Sequence, residues 1–527
     1  MRNIFEVKDP EGSNVPKEIY GYRPYLFAFC ASWASAMYGY DSAFIGGTLT
    51  LPSFKTQFGL DGADSNAAAA LSSNIVSTYQ AGAFFGCAFG FILAEKFGRK
   101  RSMIAATLIF IVGAVLQIIG RLDLLYAGRA LAGWGIGVNT LVLPIYVSEC
   151  SPPLIRGRLV GVFEVMLQAA LVIGFWINYG VNENISGSDS RQWHIPMAIQ
   201  FVLAGLLILS LLPMIESPRW LASKGKARHA TKALSWIRNL PPDHPYLVRE
   251  LAQIEAALDH EVQSTGGVSN WRQIFRELLQ KGVRNRVVLG CGLVTLQNFA
   301  GINAINYYSP TIFKSIGVTG TSAGLLGTGV FGIVKMVATF FYAGFLVDKA
   351  GRRALLIGGG MGALVPMLYL GVYTKVSGSF TAVPPQDDGA RAAIAMIYIY
   401  AFFYGLSWNG VPWLFTSEIM PTRVRTLGVA FCICIQWLTQ FVVVYSLPYM
   451  ILGITYGTFL FFAAFIVLAI LFAWLFVPET KGVALEDMDL LFGSDVPVFA
   501  RRARRNYEEA VNARVTALQA KQDLEVV

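Results

Sequence analysis

Runs of about twenty apolar residues recur along this chain, and each is long enough to cross the roughly 30 Å hydrocarbon core of a bilayer as a helix. They lie near 25–47, 71–94, 103–120, 124–146, 159–181 and 195–215, and again near 287–313, 322–347, 354–374, 391–415, 427–450 and 453–477. Backbone polar groups in lipid must be satisfied within their own segment, so these spans are predicted as helices. Composition agrees with an all-α membrane protein. Charged residues make up 14% of the chain, against the roughly 25% of an ordinary soluble protein.

The net charge of +9 does not point to nucleic acid, because the basic residues are sorted by side of the membrane. Lys96, Arg99, Lys100 and Arg101 follow the second span, and Arg156 and Arg158 follow the fourth. Lys349, Arg352, Arg353, Arg423 and Arg425 repeat the pattern, and residues 217–286 hold 12 Lys/Arg against 6 Asp/Glu. The opposite loops carry Asp61, Asp64, Glu183, Asp189, Asp387 and Asp388. The positive-inside rule makes the basic side cytoplasmic, together with both termini. The polar first 22 residues argue against a cleaved signal peptide. Arg501 to Arg505 reads as a solvated basic tail, with anionic lipid as the alternative.

The six cysteines lie in or beside spans and read as small buried hydrophobes, with neither a disulfide pair nor metal-ligand spacing. No cofactor is expected. An enzyme is not expected either, since no nucleophile–base pair, metal set or phosphate loop is legible. The glycines from Gly133 to Gly137 read as helix-packing residues. Asn184 heads an Asn-Ile-Ser sequon in a short outer loop and is a possible N-glycosylation site.

The chain contains itself twice. "AEKFGRKR" matches "VDKAGRRA", with Gly98 and Gly351 253 residues apart. "SECSPPLIRGR" matches "SEIMPTRVRT" (Glu149 to Glu418, 269 apart), and "ESPRW" echoes "PETKG" (Glu216 to Glu479, 263 apart). The expected organisation is a cytoplasmic N-terminal segment (1–22), a six-helix half (23–216), a cytoplasmic linker (217–286), a second six-helix half (287–482) and a cytoplasmic tail (483–527). Parallel repeats of this kind place a solute site between the halves near midplane. In the linker, "KARHATKALSWIRNL" and "YLVRELAQIEAALDHE" space apolar residues as helices do, with "PPDHP" between them.

"GFLVDKAGRR", "PETKG" and "QNFAGINAINYYSP" resemble the motifs of the sugar-porter branch of the major facilitator superfamily, and the resemblance runs from about Tyr22 to Gly482. It implies the major facilitator fold and alternating access. The sequence departs from the pattern at Phe91, at Ile215 and at His194, which touch gates and loop ends.

Two spans carry opposite charges at comparable depth. Asp41 lies about 25 Å along the first span, and Arg129 roughly 8 Å into the oppositely directed fourth. An aspartate facing an arginine across a cavity can lose and regain a proton as the pairing breaks and re-forms. A permanent salt bridge is the alternative. In proton-linked sugar porters an acid and an arginine in these spans do the proton-coupling job, which the resemblance extends to Asp41 and Arg129.

A polyhydroxylated solute needs many neutral hydrogen-bonding partners. Gln168, Gln297, Asn298, Asn303, Asn306, Gln436 and Gln440 supply them, Gly301 can open the seventh span so that they converge, and Trp413 can stack on the apolar face of a ring. Each amide taken singly also reads as helix-packing glue. As a set they match the family's sugar-contacting positions. Asn298, Asn306 and Gln440 depart from the usual residues there and argue against ordinary glucose specificity.

Lys335 sits mid-span in "FGIVKMVATFF". It can neutralise a solute carboxylate, pair with Glu164 or backbone carbonyls, or snorkel to water. "YGYDSAFIGG", "GINAINYYSPTIFKSIGV" and this lysine together are similar to the fungal quinate-permease subgroup, whose members move quinate, sugar acids or monosaccharides. On the cytoplasmic side, Glu95 or Asp348 can meet a helix N-terminus. Arg99, Arg156, Arg352 and Arg425 can reach Glu149, Glu216, Glu418 and Glu479 as an inner latch. The expectation is a plasma-membrane importer, functionally monomeric, that moves a small polyol, sugar or sugar acid with a proton. A uniporter and a transporter-like nutrient sensor are the alternatives.

Overall fold

The computed structural model describes residues 16–152, 155–264, 276, 278–346, 349–379, 384, 387–421, 424–481, 483, 488–492, 499–505 and 507–510. Among them no strand occurs, and eleven helices are long and apolar enough to cross a membrane. A twelfth crossing is made in two pieces, α1 (Tyr22–Ala31) and α2 (Trp33–Thr48). Ser32, between them, bonds the Ala28 carbonyl through Oγ at 2.7 Å.

After the short α3 (Pro52–Phe58), the first half continues through α4 (Ser65–Phe97), α5 (Arg99–Ile118), α6 (Leu122–Cys150), α7 (Arg156–Asn184) and α8 (Arg191–Leu211). The second half runs through α12 (Lys281–Phe299), α13 (Ile302–Ser315), α14 (Thr321–Phe341), α15 (Arg352–Val376), α16 (Asp388–Leu406), α17 (Val411–Ile419), α18 (Arg425–Ile454) and α19 (Gly457–Phe476). Between the halves lie α9 (Pro218–Ser223), α10 (Ala227–Arg238) and α11 (Pro245–Ser264).

The helices outrun the apolar stretches that announce them. The second begins at Ser65, where Asp64 caps it by accepting from the Ala67 N–H at 2.9 Å. The seventh crossing breaks where Gly301 takes φ +96°, a left-handed conformation that strains any residue with a Cβ. The tenth crossing breaks too, and this was not foreseen. Four residues, Ser407 to Gly410, separate α16 from α17, with Pro412 early in the second helix, where its missing N–H costs nothing.

Close helix packing carries the first half. A Cβ on Gly133 would stand 2.0 Å from the Tyr79 carbonyl oxygen, and one on Gly137 2.1 Å from that of Ala83. Reciprocally, Gly82 and Gly86 would meet the Ala130 and Trp134 carbonyl oxygens at 2.1 and 2.0 Å. Helices α4 and α6 therefore touch backbone to backbone, as small-residue stripes permit in lipid. The large exposed side chains, among them Phe85, Phe89, Val202 and Leu209, form the apolar outer surface of a membrane protein.

The linker is helical as its spacing predicts, over residues 217–264. Ala230, Ala233, Leu234 and Ile237 of α10 are buried. Arg238 pairs with Glu250 (2.6 and 3.0 Å) and donates to the Cys150 carbonyl at 2.8 Å, docking the linker on the end of α6. The halves meet along α4 and α18, α7 and α14, and α2 and α13. The face bearing the linker is called the linker side below.

Candidate functional site

A cavity of about 50 Å³ lies between the halves. All eight side chains predicted to bind solute line it: Gln168, Gln297, Asn298, Asn303, Asn306, Trp413, Gln436 and Gln440. The break at Gly301 delivers this convergence, because Gln297 and Asn298 end α12 while Asn303 and Asn306 begin a helix with its own axis.

Their hydrogen bonds are lopsided. Gln297 donates to the Trp408 and Asn409 carbonyls (2.8 and 3.1 Å), Gln168 donates to Glu164 (3.0 Å) and Gln440 to the Tyr307 hydroxyl (3.2 Å). Asn303 donates to the Asn298 oxygen at 2.6 Å. Five amide oxygens, those of Gln168, Gln297, Asn306, Gln436 and Gln440, accept from no group among the described residues although they are buried. Buried acceptors are usually satisfied, so a cluster of such oxygens on one cavity suits a ligand rich in hydroxyl donors.

Lys335 lines the same cavity, 2% exposed, and makes no direct ion pair with Glu164. Glu164, four residues before Gln168 on α7, is itself a lining residue. It accepts from Gln168 and, across the boundary between the halves, from Asn409. The sequence reading treats Glu164 only as a partner for Lys335 and passes over Tyr38, Tyr404 and Asn409, which also line the cavity. The one-turn spacing of Glu164 and Gln168 is the signal that could have placed the acid there.

Asp41 and Arg129 are fully buried, and the Arg129 Nη1 donates to both carboxylate oxygens at 2.8 and 2.9 Å. The expectation of a pair facing across a cavity is corrected here. The two are in direct contact behind the cavity wall, because α2 packs on α6. Arg129 also donates to the Ile75 carbonyl at 3.2 Å and lies 4.6 Å from the Tyr79 ring.

On the side away from the linker, a second cavity of about 520 Å³ lies farther along α2 and α13. Between the two cavities, the Tyr307 hydroxyl donates to Ser42 at 3.2 Å, and a Cβ on Gly46 would stand 2.3 Å from the Tyr307 carbonyl oxygen. This contact closes the central cavity at that end.

On the linker side, Arg99 pairs with Glu95 (2.8 Å) and Glu149 (2.9 Å), and Arg352 with Glu418 (2.8 Å). Glu216 accepts from the Arg99 and Lys100 N–H groups, and Glu479 from those of Arg352 and Arg353. The acids at the helix N-termini are therefore Glu216 and Glu479. Glu95 instead reaches Arg99, one turn away on the other side of Gly98. These pairs tie helices within one half, whereas the sequence reading expected a latch. Arg425 donates to the Met420 carbonyl at 3.3 Å. Asp348 and the Arg156 side chain lie outside the described residues. Asn184 ends α7 and donates to the Gly180 carbonyl at 2.8 Å.

A family model described as "Sugar (and other) transporter" matches residues 27–492. The chain belongs to the sugar transporter family. As one of its members it is a multi-pass membrane transporter of the major facilitator fold and not an enzyme. This sugar transporter is 45% identical to a probable quinate permease of Aspergillus fumigatus over 490 residues, which cover 92% of this chain and 90% of that protein. It is 46% identical to the MFS-type transporter qa-x of Neurospora crassa, over 92% of this chain and 91% of the relative. The solved proton:xylose symporter XylE, bound to 6-bromo-6-deoxy-D-glucose, aligns with a TM-score of 0.73 at 27% identity, over 89% of this chain and 99% of that one. A POT family peptide transporter shares the fold at a TM-score of 0.58 and 14% identity.

Proposed function

We propose that this transporter imports a small polyhydroxylated solute together with a proton by alternating access. A carboxylate-bearing solute such as quinate or a sugar acid is favoured over a hexose or pentose. The observation that carries this reading is the cavity itself, where five amide oxygens without a donor among the described residues share the lining with the Lys335 ammonium, which closes no direct ion pair. A cyclic polyol acid matches both features, with hydroxyls for the amides and a carboxylate for the lysine. Relatives named as quinate permeases support the choice of solute, and the neighbour named as a proton:xylose symporter supports proton coupling at Asp41 and Arg129.

The charge clusters on the linker side have a mechanical role in this reading. Each holds its own half rigid, through Glu149, Glu216 and Arg99 in the first and Glu418, Glu479 and Arg352 in the second, so the halves rock as bodies. In this reading the linker side faces the cytoplasm, which the basic linker and loops support, and the membrane is the plasma membrane. An epitope inserted beside Asp243, in the turn between α10 and α11, is expected to react with antibody only after cells are permeabilised.

The test of the solute is uptake of labelled quinate, galacturonate, xylose and glucose with external pH recorded. Lys335→Met is expected to lower quinate uptake by about 10- to 100-fold, the worth of one charge-assisted hydrogen bond, at unchanged surface level. Undiminished quinate uptake in that variant would remove Lys335 from the site.

A further inference from the structure

We propose that Glu164 takes up one hydrogen ion each time an anionic solute lays its carboxylate against Lys335, making Glu164 a proton-carrying group separate from Asp41. The inference rests on the reading of the cavity as a site for a polyol acid. Glu164 stands on α7 and Lys335 on α14, two packed helices from different halves. The two interact electrostatically across the cavity without closing an ion pair. The other titratable groups facing Glu164 are the phenols of Tyr38 on α2 and Tyr404 on α16, which leaves Lys335 as its cation.

The hydrogen bonds of the carboxylate are one-sided. Gln168 and Asn409 both donate to Oε1, and Oε2 accepts from no described residue. A proton can therefore settle on Oε2 without breaking a contact.

Charge supplies the reason for it to do so. With no solute, one carboxylate balances one ammonium. A solute carboxylate beside Lys335 makes two anions around one cation in an enclosed space, where both ionise only at high cost. One hydrogen ion from water, placed on Oε2, restores the balance, and the new O–H can donate to the solute. No bond within the solute breaks, and the proton leaves when the solute leaves. A neutral polyol brings no charge and draws no proton to this position.

The test compares quinate with its neutral methyl ester on purified full-length protein in weakly buffered detergent containing a pH indicator. Quinate is expected to draw about one hydrogen ion more per bound molecule than the ester, and Glu164→Gln to abolish the difference. In binding titrations, the ratio of quinate affinity to ester affinity is expected to fall about tenfold per pH unit on the alkaline side in the wild type and to stay level in Glu164→Gln. Equal proton uptake for acid and ester in the wild type overturns the proposal whatever the variant does. A tenfold slope in that ratio that persists in Glu164→Gln overturns it as well. Quinate that fails to bind at every pH defeats the polyol-acid reading beneath, and this proposal with it.

Discussion

Asp41→Asn is expected to end accumulation of a neutral solute, such as quinate methyl ester, against a gradient while its exchange across the membrane continues. A carboxamide keeps the shape and an acceptor for Arg129 but cannot exchange a hydrogen ion. For a neutral solute, which draws no proton to Glu164, the cycle then loses its coupling to the proton gradient, and the accumulation ratio should fall to about 1, as for any carrier with no coupled ion. Removing one member of a buried ion pair costs about 3–5 kcal/mol when the survivor is left alone. Arg129 is not left alone, since it keeps the Ile75 carbonyl and the Tyr79 ring. The variant should therefore reach the membrane. Three measurements check the expectation: uptake at external pH 5 and 7, alkalinisation of the medium on solute addition, and counterflow in preloaded vesicles. A uniporter would show wild-type net uptake in the variant.

Gly133→Leu is expected to have a comparable effect by another route, the loss of folded protein. A Cβ at that position falls 2.0 Å from the Tyr79 carbonyl oxygen, against a backbone that has no rotamer to adopt. Helices α4 and α6 must part, and with them the reciprocal contacts of Gly82, Gly86 and Gly137. Overpacking of side chains costs roughly 1–3 kcal/mol, and a clash with backbone belongs at or above the upper end. Surface protein and detergent-extracted monodisperse protein should both drop sharply. Gly205→Leu, at a position with open space around the Cβ, is the control and should behave as the wild type.

The two predictions stand differently with respect to the sequence. Depth arithmetic along oppositely directed spans was enough to bring Asp41 and Arg129 to the same level. It did not say that they touch, because contact depends on how each helix is rotated about its axis. In soluble helices the apolar stripe fixes that rotation. In spans such as Gly457–Phe476 every face is apolar, and the stripe is lost. The same gap explains the ionic clusters, where Arg99 with Glu149 and Arg352 with Glu418 were legible as pairs but Glu95 was given the place held by Glu216. Gly301 was legible as a break because glycine alone tolerates its φ. The interruption from Ser407 to Gly410 was passed over, although Asn409-Gly410 followed by Pro412 is a breaker signal. Glu164 was visible as a charge and overlooked as a lining group. Its neighbours in space, Asn409 and Tyr38, lie far away in the chain.

The closure formed by Ser42, Gly46 and Tyr307 is made of a hydroxyl pair and a backbone contact, and none of these carries a formal charge. An electric field across the bilayer does work only on charge, about 2.3 kcal/mol per elementary charge over 100 mV. Opening and shutting at this end is thus electrically silent. Any sensitivity of turnover to membrane voltage arises deeper in the protein, at the ionised side chains and the ions that travel with the solute.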